Sequence, residues 1–322
     1  MSLTAEQIIE LKSKGMSNRE IARKFLGGDS KESTIRLALK RAQSSAVEEA
    51  VDQIVQAHPG AKIFLGDVEV SPTLAWAFNR FKAFITPSHV EEEPYMLTWA
   101  GKWLHNPAII SRKLPDYPTF QTDVKDDKEM VQELWQVLDE CDIFIAHNAR
   151  FDKGWANQRF AFHGMLPPSP YIVIDTLSEI KTAFSLPSNA LEAATNYFQL
   201  ERKRHHEGIT LWIRCCKGDV TAFEEMEYYN IGDIPTLEGL YLKVRPFMKK
   251  HPNVNLFRDD EDDTIRCVRC GSDEIVAMEG KVGTTYLSKF QAYRCKCCGS
   301  TMRDRRNIRT REEMAATLVN II

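Results

Sequence analysis

The sequence lacks any run of 18 or more apolar residues, so it offers no candidate for a transmembrane helix. Its first residues also lack the apolar stretch and the small-residue cleavage site of a secretory signal peptide. The formal net charge is only −3, without the basic excess of a general nucleic-acid coat. We therefore expect a cytoplasmic protein with no membrane partner, located in the host cytoplasm if its source is viral.

Charge is unevenly distributed along the 322 residues, of which 43% are hydrophobic and 27% are charged, as in ordinary globular proteins. Residues 1–45 contain nine Lys or Arg and five Asp or Glu, and residues 301–311 contain five Arg and one Asp. Basic ends around an acidic centre fit a nuclease, because the ends can hold phosphate groups while the centre holds metal ions.

The N-terminal segment, residues 1–45, has apolar positions at helical spacing in three short stretches, the third of them basic. Ser17, with Glu20 three residues later, forms a capping-box start for the second helix. This order is typical of a helix-turn-helix unit that binds DNA, although a small helical bundle that binds protein fits the same residues. Residues 46–60 follow as a helical linker, which ends at a His-Pro-Gly turn.

The central segment, residues 61–250, alternates apolar strands with amphipathic helices, the pattern of an α/β domain. The predicted strands are 63–70, 142–148 and 171–176, with further strands around 73–85 and 95–104. The predicted helices are 127–140, 151–163, 188–198 and 219–248.

Acidic residues follow two of these predicted strands. Asp67 and Glu69 end the first strand, and because alternate residues on a strand share a face, both carboxylates point the same way. Asp152 lies in the first turn of the helix after strand 142–148, where a carboxylate also suits the helix dipole. A strand end entering solvent would explain the first pair equally simply, and helix capping would explain Asp152. Divalent cations between the carboxylates would offset their repulsion.

A third acidic element lies in the predicted helix 219–248. Tyr229 and Asp233 are four residues apart and therefore share a helix face, although such a pair can arise by chance on a surface. The acids follow one another on a strand, a strand-to-helix turn and a late helix. That joint order indicates one site.

The acidic pieces resemble the three exonuclease motifs of the DEDD (DnaQ-like) 3′–5′ exonuclease family: Asp67-Val68-Glu69, His147-Asn148-x-x-Phe151-Asp152 and Tyr229-x-x-x-Asp233. The tyrosine of the third motif is similar to that of the tyrosine branch, which includes the proofreading domains of family A and B DNA polymerases and RNase D. The resemblance covers about 61–250 and looks close to stand-alone predicted exonucleases of phages and bacteria. It implies a ribonuclease H-like mixed sheet flanked by helices.

By this resemblance, the reaction is a two-metal hydrolysis of phosphodiester bonds with Mg²⁺ or Mn²⁺. Asp67 would bridge both ions, Glu69 and Asp233 would complete the shell of the first ion, and Asp152 would hold the second. Tyr229 would orient the attacking water, because a phenol with a pKa of about 10 is a poor base at neutral pH.

The same resemblance places Asn148, Phe151 and Val70 at the substrate. Val70 stands where many relatives have Thr or Ser, so the contact with the terminal nucleotide is expected to differ here. Asn148 could instead orient the strand-to-helix turn. Asp175, which also follows an apolar strand, could support the site or cap the next helix.

Four of the eight cysteines form two close pairs near the C-terminus: Cys267-x-x-Cys270 and Cys295-x-Cys297-Cys298. Cys295 and Cys298 repeat the spacing of the first pair, and Gly follows both pairs. Four thiolates at this spacing predict one structural Zn²⁺ in a zinc ribbon over 262–310. The sequence leaves open an alternative register in which Cys297 is one of the zinc ligands. The ribbon would grip single-stranded nucleic acid, helped by the Arg cluster at 303–311, or it would bind protein or be purely structural.

The sequence therefore predicts a hydrolase, a 3′–5′ exodeoxyribonuclease acting on a free, single-stranded 3′ end. The helix-turn-helix pattern favours DNA, while the tyrosine branch also contains exoribonucleases. The alternative from another class is a non-catalytic DNA-binding protein of replication or regulation, against which the intact acids weigh. No polymerase domain is recognisable, so a proofreading role would need a polymerase or another replication partner.

Overall fold

The computed structural model describes the following parts of the chain: Gln7, Leu11 and residues 16–25, 60–79, 81–200, 208–258 and 264–319. Helix α1 (Asn18–Phe25) begins after Ser17, whose hydroxyl accepts a hydrogen bond from the Glu20 N–H at 3.2 Å. Glu20 in return accepts from the Ser17 N–H at 2.7 Å, which completes the expected capping box. Most of the remaining 1–45 segment and of the 46–60 linker lies outside the described residues.

Seven strands come from the described residues between 60 and 176: β1 (Ile63–Val70), β2 (Leu74–Ala75), β3 (Val90–Glu92), β4 (Met96–Trp103), β5 (Ile110–Lys113), β6 (Ile143–Ala146) and β7 (Ile172–Asp175). Strands β2 and β3 pair only with each other, and the others form one sheet in the order β5-β4-β1-β6-β7. Strand β4 is antiparallel to β1 and β5, whereas β6 is parallel to β1 and β7. The central sheet is therefore mixed.

The helices that flank this sheet are α2 (Lys128–Glu140), α3 (Ala149–Phe162), α4 (Thr176–Ala183), α5 (Leu191–Tyr197), α6 (Ile209–Cys216) and α7 (Val220–Val244). Helix α7 contacts β1 and β4, while α2 and α3 contact each other. This confirms the α/β class with a mixed sheet flanked by helices. Within the described residues, none of the helices combines the length and apolar character needed to cross a membrane.

The two faces of β1 pack into different parts of the core. Phe64 and Val68 belong to a cluster with residues of α2 and α3, whereas Ile63 and Leu65 pack in a cluster with Leu237 of α7. Because side chains alternate along a strand, the residues at 67 and 69 continue the Ile63–Leu65 face. The sheet therefore directs both acids toward the side that α7 covers.

A buried ion pair fixes α3 against β4. The Asp127 side chain, which is fully buried, accepts from Nε and Nη2 of Arg159 in α3, both at 2.7 Å. It also accepts from the Met96 N–H of β4 at 2.8 Å and lies 2.6 Å from Nε2 of His163. A buried charge with this many partners is costly to disrupt, because removing one partner leaves the other uncompensated.

Two parts of the sequence-based description differ from the structure. The strand expected around 73–85 is only the two-residue β2, and Trp76, Phe78, Phe81 and Phe84 are largely exposed. Their weak alternation therefore marks an aromatic surface instead of a buried strand face. The short elements β5, α4 and α6 were not expected, because each is too brief for its periodicity to stand out.

The C-terminal part contains a separate antiparallel sheet of β8 (Ile275–Thr284), β9 (Lys289–Cys295) and β10 (Thr301–Arg303), in the order β10-β9-β8. A short helix, α8 (Arg311–Ala315), follows it. Most side chains of β8 are exposed or half-buried, so this sheet has little apolar core of its own.

Candidate active site and metal centre

Strand β1 carries the first two acids, and its pairing with β4 sets their direction. Asp67 lies opposite Ala100 and Glu69 opposite Thr98, so the two acids share one face of the sheet. The register shifts between Glu69 and Val70, where β1 ends. Such a bulge re-aims the chain at the end of a strand, which here lies directly beside the acidic pair.

Helix α3 brings Asp152 to the same strand. Its carboxylate accepts a hydrogen bond from the Val68 N–H at 3.1 Å, between the two acids of β1. Asp152 is only 2% exposed. Burial and, next, the negative charge of Asp67 raise the pKa of Asp152 well above its ordinary value. This part of the site therefore favours a positive charge.

Helix α7 supplies the rest of the cluster. Asn230, fully buried, donates from Nδ2 to the Asp67 carboxylate at 2.7 Å, and Asp233 is 3% exposed. Burial raises the pKa of Tyr229 well above its ordinary value, and the charges of Asp233, Glu69 and Asp67 raise it further. The structure thus brings together all five residues expected to be catalytic.

A phenol with an ordinary pKa of about 10 keeps its proton at neutral pH, and burial raises the pKa of Tyr229 further. A protonated phenol can donate or accept a hydrogen bond but cannot act as a ready base. The ring of Trp212 in α6 meets the Tyr229 ring edge-on, with centroids 6.4 Å apart. This contact limits the positions that the Tyr229 ring can take.

The turn between β6 and α3 is held by Asp175. Asn148 has a left-handed φ of 72°, and its N–H donates to the Asp175 carboxylate at 2.9 Å. The same carboxylate oxygen accepts from the Leu177 N–H at 3.1 Å, so Asp175 caps α4 as well. The Asp175 side chain therefore caps α4 and also holds the turn that precedes α3.

The residues expected at the substrate lie at the start of α3 and at the end of β1. Phe151 is 42% exposed and packs edge-on against Trp155, with ring centroids 6.3 Å apart. Val70 is half-buried at the end of β1. His147 lies behind the turn, where its ring nitrogens contact Thr176 Oγ1 and the Asn189 carbonyl oxygen, both at 2.9 Å. Phe151 and Asn148 are thus exposed to a ligand, whereas Val70 and His147 are half-buried.

The acidic cluster fits divalent cations by its donor chemistry, since carboxylate oxygens are the ligands that Mg²⁺ and Mn²⁺ prefer. However, no three of its carboxylates offer oxygens that all lie within 4.8 Å of one another in the described residues. Asp67 accepts a hydrogen bond from Asn230, and Asp152 accepts one from the Val68 N–H of β1. Three of these carboxylates can therefore share one cation only if at least one of them shifts toward the others.

The four paired cysteines form a second candidate metal centre. The thiol sulfurs of Cys267, Cys270, Cys295 and Cys298 all lie within 4.8 Å of one another. The Cys267–Cys298 and Cys270–Cys295 sulfur distances are 3.6 and 3.7 Å. Disulfide sulfurs would be about 2 Å apart, whereas tetrahedral ligands at about 2.3 Å from zinc lie about 3.8 Å from each other. The four sulfurs therefore match a tetrahedral metal site.

Both cysteine turns have the same backbone construction. Gly271 donates its N–H to the Cys267 carbonyl at 2.9 Å, and Gly299 donates to the Cys295 carbonyl at 3.0 Å. Both glycines have positive φ, 74° and 79°, which favours glycine at each turn. Cys297 is exposed and lies outside the sulfur cluster. The cluster thus uses the register in which the two turns are equivalent.

Asn230 and Trp212 are the site residues that sequence reasoning missed. Asn230 lies three residues before Asp233 and one after Tyr229, a spacing that puts it on nearly the same helix face. That spacing was a usable signal, but Asn has no charge to mark it as a member of an acidic site. Trp212 carried no such signal, because α6 itself was not expected.

The comparisons with known proteins give matches only among solved structures. No protein-family model matches this chain, and no curated protein matches it. Among solved structures, the chain is similar to the family B DNA polymerase from the hyperthermophilic archaeon Pyrobaculum calidifontis, with a TM-score of 0.41 and 15% sequence identity. The match covers 58% of this chain and 25% of that chain, so it spans about a quarter of the polymerase. The function must therefore be inferred from the residues of the site.

Proposed function

We propose that this protein is a metal-dependent 3′–5′ exonuclease that acts on single-stranded DNA. The observation that carries the proposal is the convergence of Asp67, Glu69, Asp152, Tyr229 and Asp233 from β1, α3 and α7 on one face of the sheet. The strand order β5-β4-β1-β6-β7, with Asp67 and Glu69 on the central strand, supports a ribonuclease H-like fold for 61–250.

The proposed mechanism assigns a separate task to each part of the cluster. The four carboxylates would hold two Mg²⁺ or Mn²⁺ ions. When bound, these ions would polarise the scissile phosphate and lower the pKa of a water molecule. Asn230 keeps the Asp67 carboxylate in one orientation through its 2.7 Å hydrogen bond. Tyr229, which keeps its proton, orients the attacking water through its hydroxyl group.

Single-stranded substrate is supported by exposed aromatic side chains on two segments that carry or follow the acids in the sequence. Phe151 is exposed at the start of α3, and Trp76, Phe78, Phe81 and Phe84 are exposed in the segment that follows β1. Aromatic faces stack on unpaired bases of any sequence, which is the usual way that proteins hold single strands. We therefore place the 3′ end at the acids and the preceding bases along these aromatic side chains.

The two ends of the chain are assigned accessory tasks. We propose that Cys267, Cys270, Cys295 and Cys298 bind one structural Zn²⁺ in a zinc ribbon over 262–310. Exposed Tyr286 and the arginines of 303–311 would let the ribbon hold nucleic acid. We further propose that residues 1–45 form a helix-turn-helix-like unit and that 46–60 is a linker. We also propose that the protein associates with a polymerase or another replication partner.

A substrate comparison tests the proposal. With Mg²⁺, we expect a 3′-labelled single strand to release its label as a mononucleotide at once, while a 5′-labelled strand shortens stepwise. Duplex DNA should be degraded more slowly, because its 3′ end must first unpair. The measurement is product length against time on a denaturing gel, with an RNA strand in parallel.

The outcomes of this comparison differ clearly. Faster digestion of RNA would make the enzyme an exoribonuclease, and release of internal fragments would make it an endonuclease. If none of the strands were digested with Mg²⁺ or Mn²⁺, the proposed activity would be wrong.

Replacing Asn230 tests its positioning role. Asn230→Leu removes the donor to Asp67 at similar side-chain volume, so we expect activity to fall roughly 10- to 100-fold. Because the carboxylate is then less well oriented, half-maximal activity should need more Mg²⁺. The measurement is the initial rate across a Mg²⁺ titration, with exposed Asn196→Leu as the control. An unchanged Mg²⁺ midpoint with a lower melting temperature would show a purely structural role.

A further inference from the structure

A cavity of about 430 Å³ lies where the central sheet meets the first cysteine turn. Its wall includes residues 60–63 at the start of β1, residues 103–106 after β4, Arg245 after α7 and residues 269–271 of the cysteine turn. Since a strand rises about 3.3 Å per residue, Ile63 lies about 13 Å from Asp67 along β1. The cavity is therefore a different site from the acidic cluster.

The wall of this cavity is basic. Lys62, Arg245, Arg258 and Arg269 line it, and its described lining residues include neither Asp nor Glu. Arg258 is followed in the sequence by an acidic run at 259–263, outside the described residues, so the basic character of the wall depends on Lys62, Arg245 and Arg269. A cavity with this lining attracts anions.

Two buried donors in the wall have no hydrogen-bond partner among the described residues. Arg245 is 6% exposed and its Nε–H is unpaired, and Asn106 is 4% exposed with an unpaired Nδ2. The Asn106 Oδ1 accepts from the Ala108 N–H at 2.9 Å, which fixes the orientation of the amide. Unpaired buried donors cost stability, so their presence in a cavity wall points to a ligand that accepts hydrogen bonds.

Arg269 is held in place at the edge of the cavity. Its guanidinium donates through Nη1 to the Arg245 carbonyl at 3.0 Å and to the Pro246 carbonyl. The N–H groups on Nε and Nη2 are not used by these two bonds. Arg269 lies two residues after Cys267 and directly before Cys270, so neutralising the cysteine cluster is the competing explanation for this arginine.

We propose that this cavity binds the phosphoryl group of a nucleotide. Guanidinium groups bind phosphate oxygens through paired hydrogen bonds, and a cavity of about 430 Å³ lies within the size range of small-ligand sites. The group can come from a free nucleoside monophosphate or from one phosphate of a bound strand. This site stands independently of the proposed nuclease activity.

Calorimetric titration of the zinc-loaded full-length chain, without added Mg²⁺, tests the proposal. We expect dAMP and inorganic phosphate to bind at millimolar concentration or below, and deoxyadenosine not to bind. Arg245→Gln and Arg269→Gln should each weaken dAMP binding about tenfold or more, since each removes a charged hydrogen bond. Lys62→Gln, at an exposed position, should weaken it less without disturbing folding, and exposed Lys217→Gln should leave it unchanged.

An oligothymidylate titration distinguishes the two sources. If the oligonucleotide bound in a manner that depends on Arg269 while dAMP did not bind, the phosphoryl group would be that of a strand. This result would support the site. Failure of every phosphorylated probe to bind the wild-type chain would overturn it. Loss of zinc in Arg269→Gln with unchanged dAMP affinity would also overturn it, because the arginines would then serve the cysteine cluster alone.

Discussion

Asp67→Asn is expected to slow Mg²⁺-dependent release of nucleotides by at least about a thousandfold, since bound ions supply several kcal/mol of charge stabilisation in the transition state. The amide has the shape of the carboxylate and can still accept the hydrogen bond from Asn230 at 2.7 Å. The substitution therefore removes charge and little else. The measurement is the single-turnover rate on a 3′-labelled single strand at saturating Mg²⁺.

Asp152→Asn separates a catalytic role from a structural one. We expect the same loss of activity, because Asp152 would hold the second ion. The amide oxygen can still accept from the Val68 N–H, while a buried charge next to Asp67 is removed. Without added Mg²⁺, the variant should therefore melt at a temperature equal to or above that of the wild type. If Asp152 were retained only for folding, the variant would keep its activity and melt at a lower temperature than the wild type.

Glu224→Gln is the matched control for both substitutions, because Glu224 is an exposed acid on α7, the helix that carries Asp233. It should change neither the rate nor the melting temperature. Digestion that persisted in Asp67→Asn would remove the acidic cluster from the reaction. Unfolding of Asp152→Asn would reduce Asp152 to a structural residue of α3.

The acidic site could be predicted because each of its parts depends on local geometry. Alternation on β1 places Asp67 and Glu69 on one face, and helical spacing places Tyr229 and Asp233 together. What could not be predicted is how α7 docks on β1. The bond from Asn230 to Asp67 joins residues 163 positions apart and exists only because of that docking.

The aromatic segment after β1 shows where sequence patterns mislead. Its spacing suggested a strand, yet Phe78 is 98% exposed and only Leu74–Ala75 pairs. Periodicity shows that apolar side chains recur at regular spacing. It does not show whether they pack in the core or remain exposed to a ligand. The basic cavity could not be predicted at all, because its wall is assembled from segments that lie far apart in the chain.

Removing the metal is expected to unfold the C-terminal sheet and leave the central sheet folded. Structural Zn²⁺ contributes about 10–16 kcal/mol in small zinc domains, far more than the little apolar core of β8, β9 and β10 can supply. Hydrogen exchange measured with and without a strong chelator should show lost protection over 264–303 and retained protection over β1, β4 and β6. Equal protection in both states would show that the ribbon folds without metal.

The cysteine register gives this prediction a matched control within one turn. Wild-type protein should carry one Zn²⁺ per chain by elemental analysis, and Cys295→Ser should lose it because a tetrahedral site needs all four thiolates. Cys297→Ser should keep it, since Cys297 is exposed and its sulfur lies outside the cluster. The two substitutions differ by two positions in one turn, so general damage to the ribbon would affect both. Loss of zinc in Cys297→Ser alone would instead assign the metal to the other register, in which the two glycine turns are not equivalent.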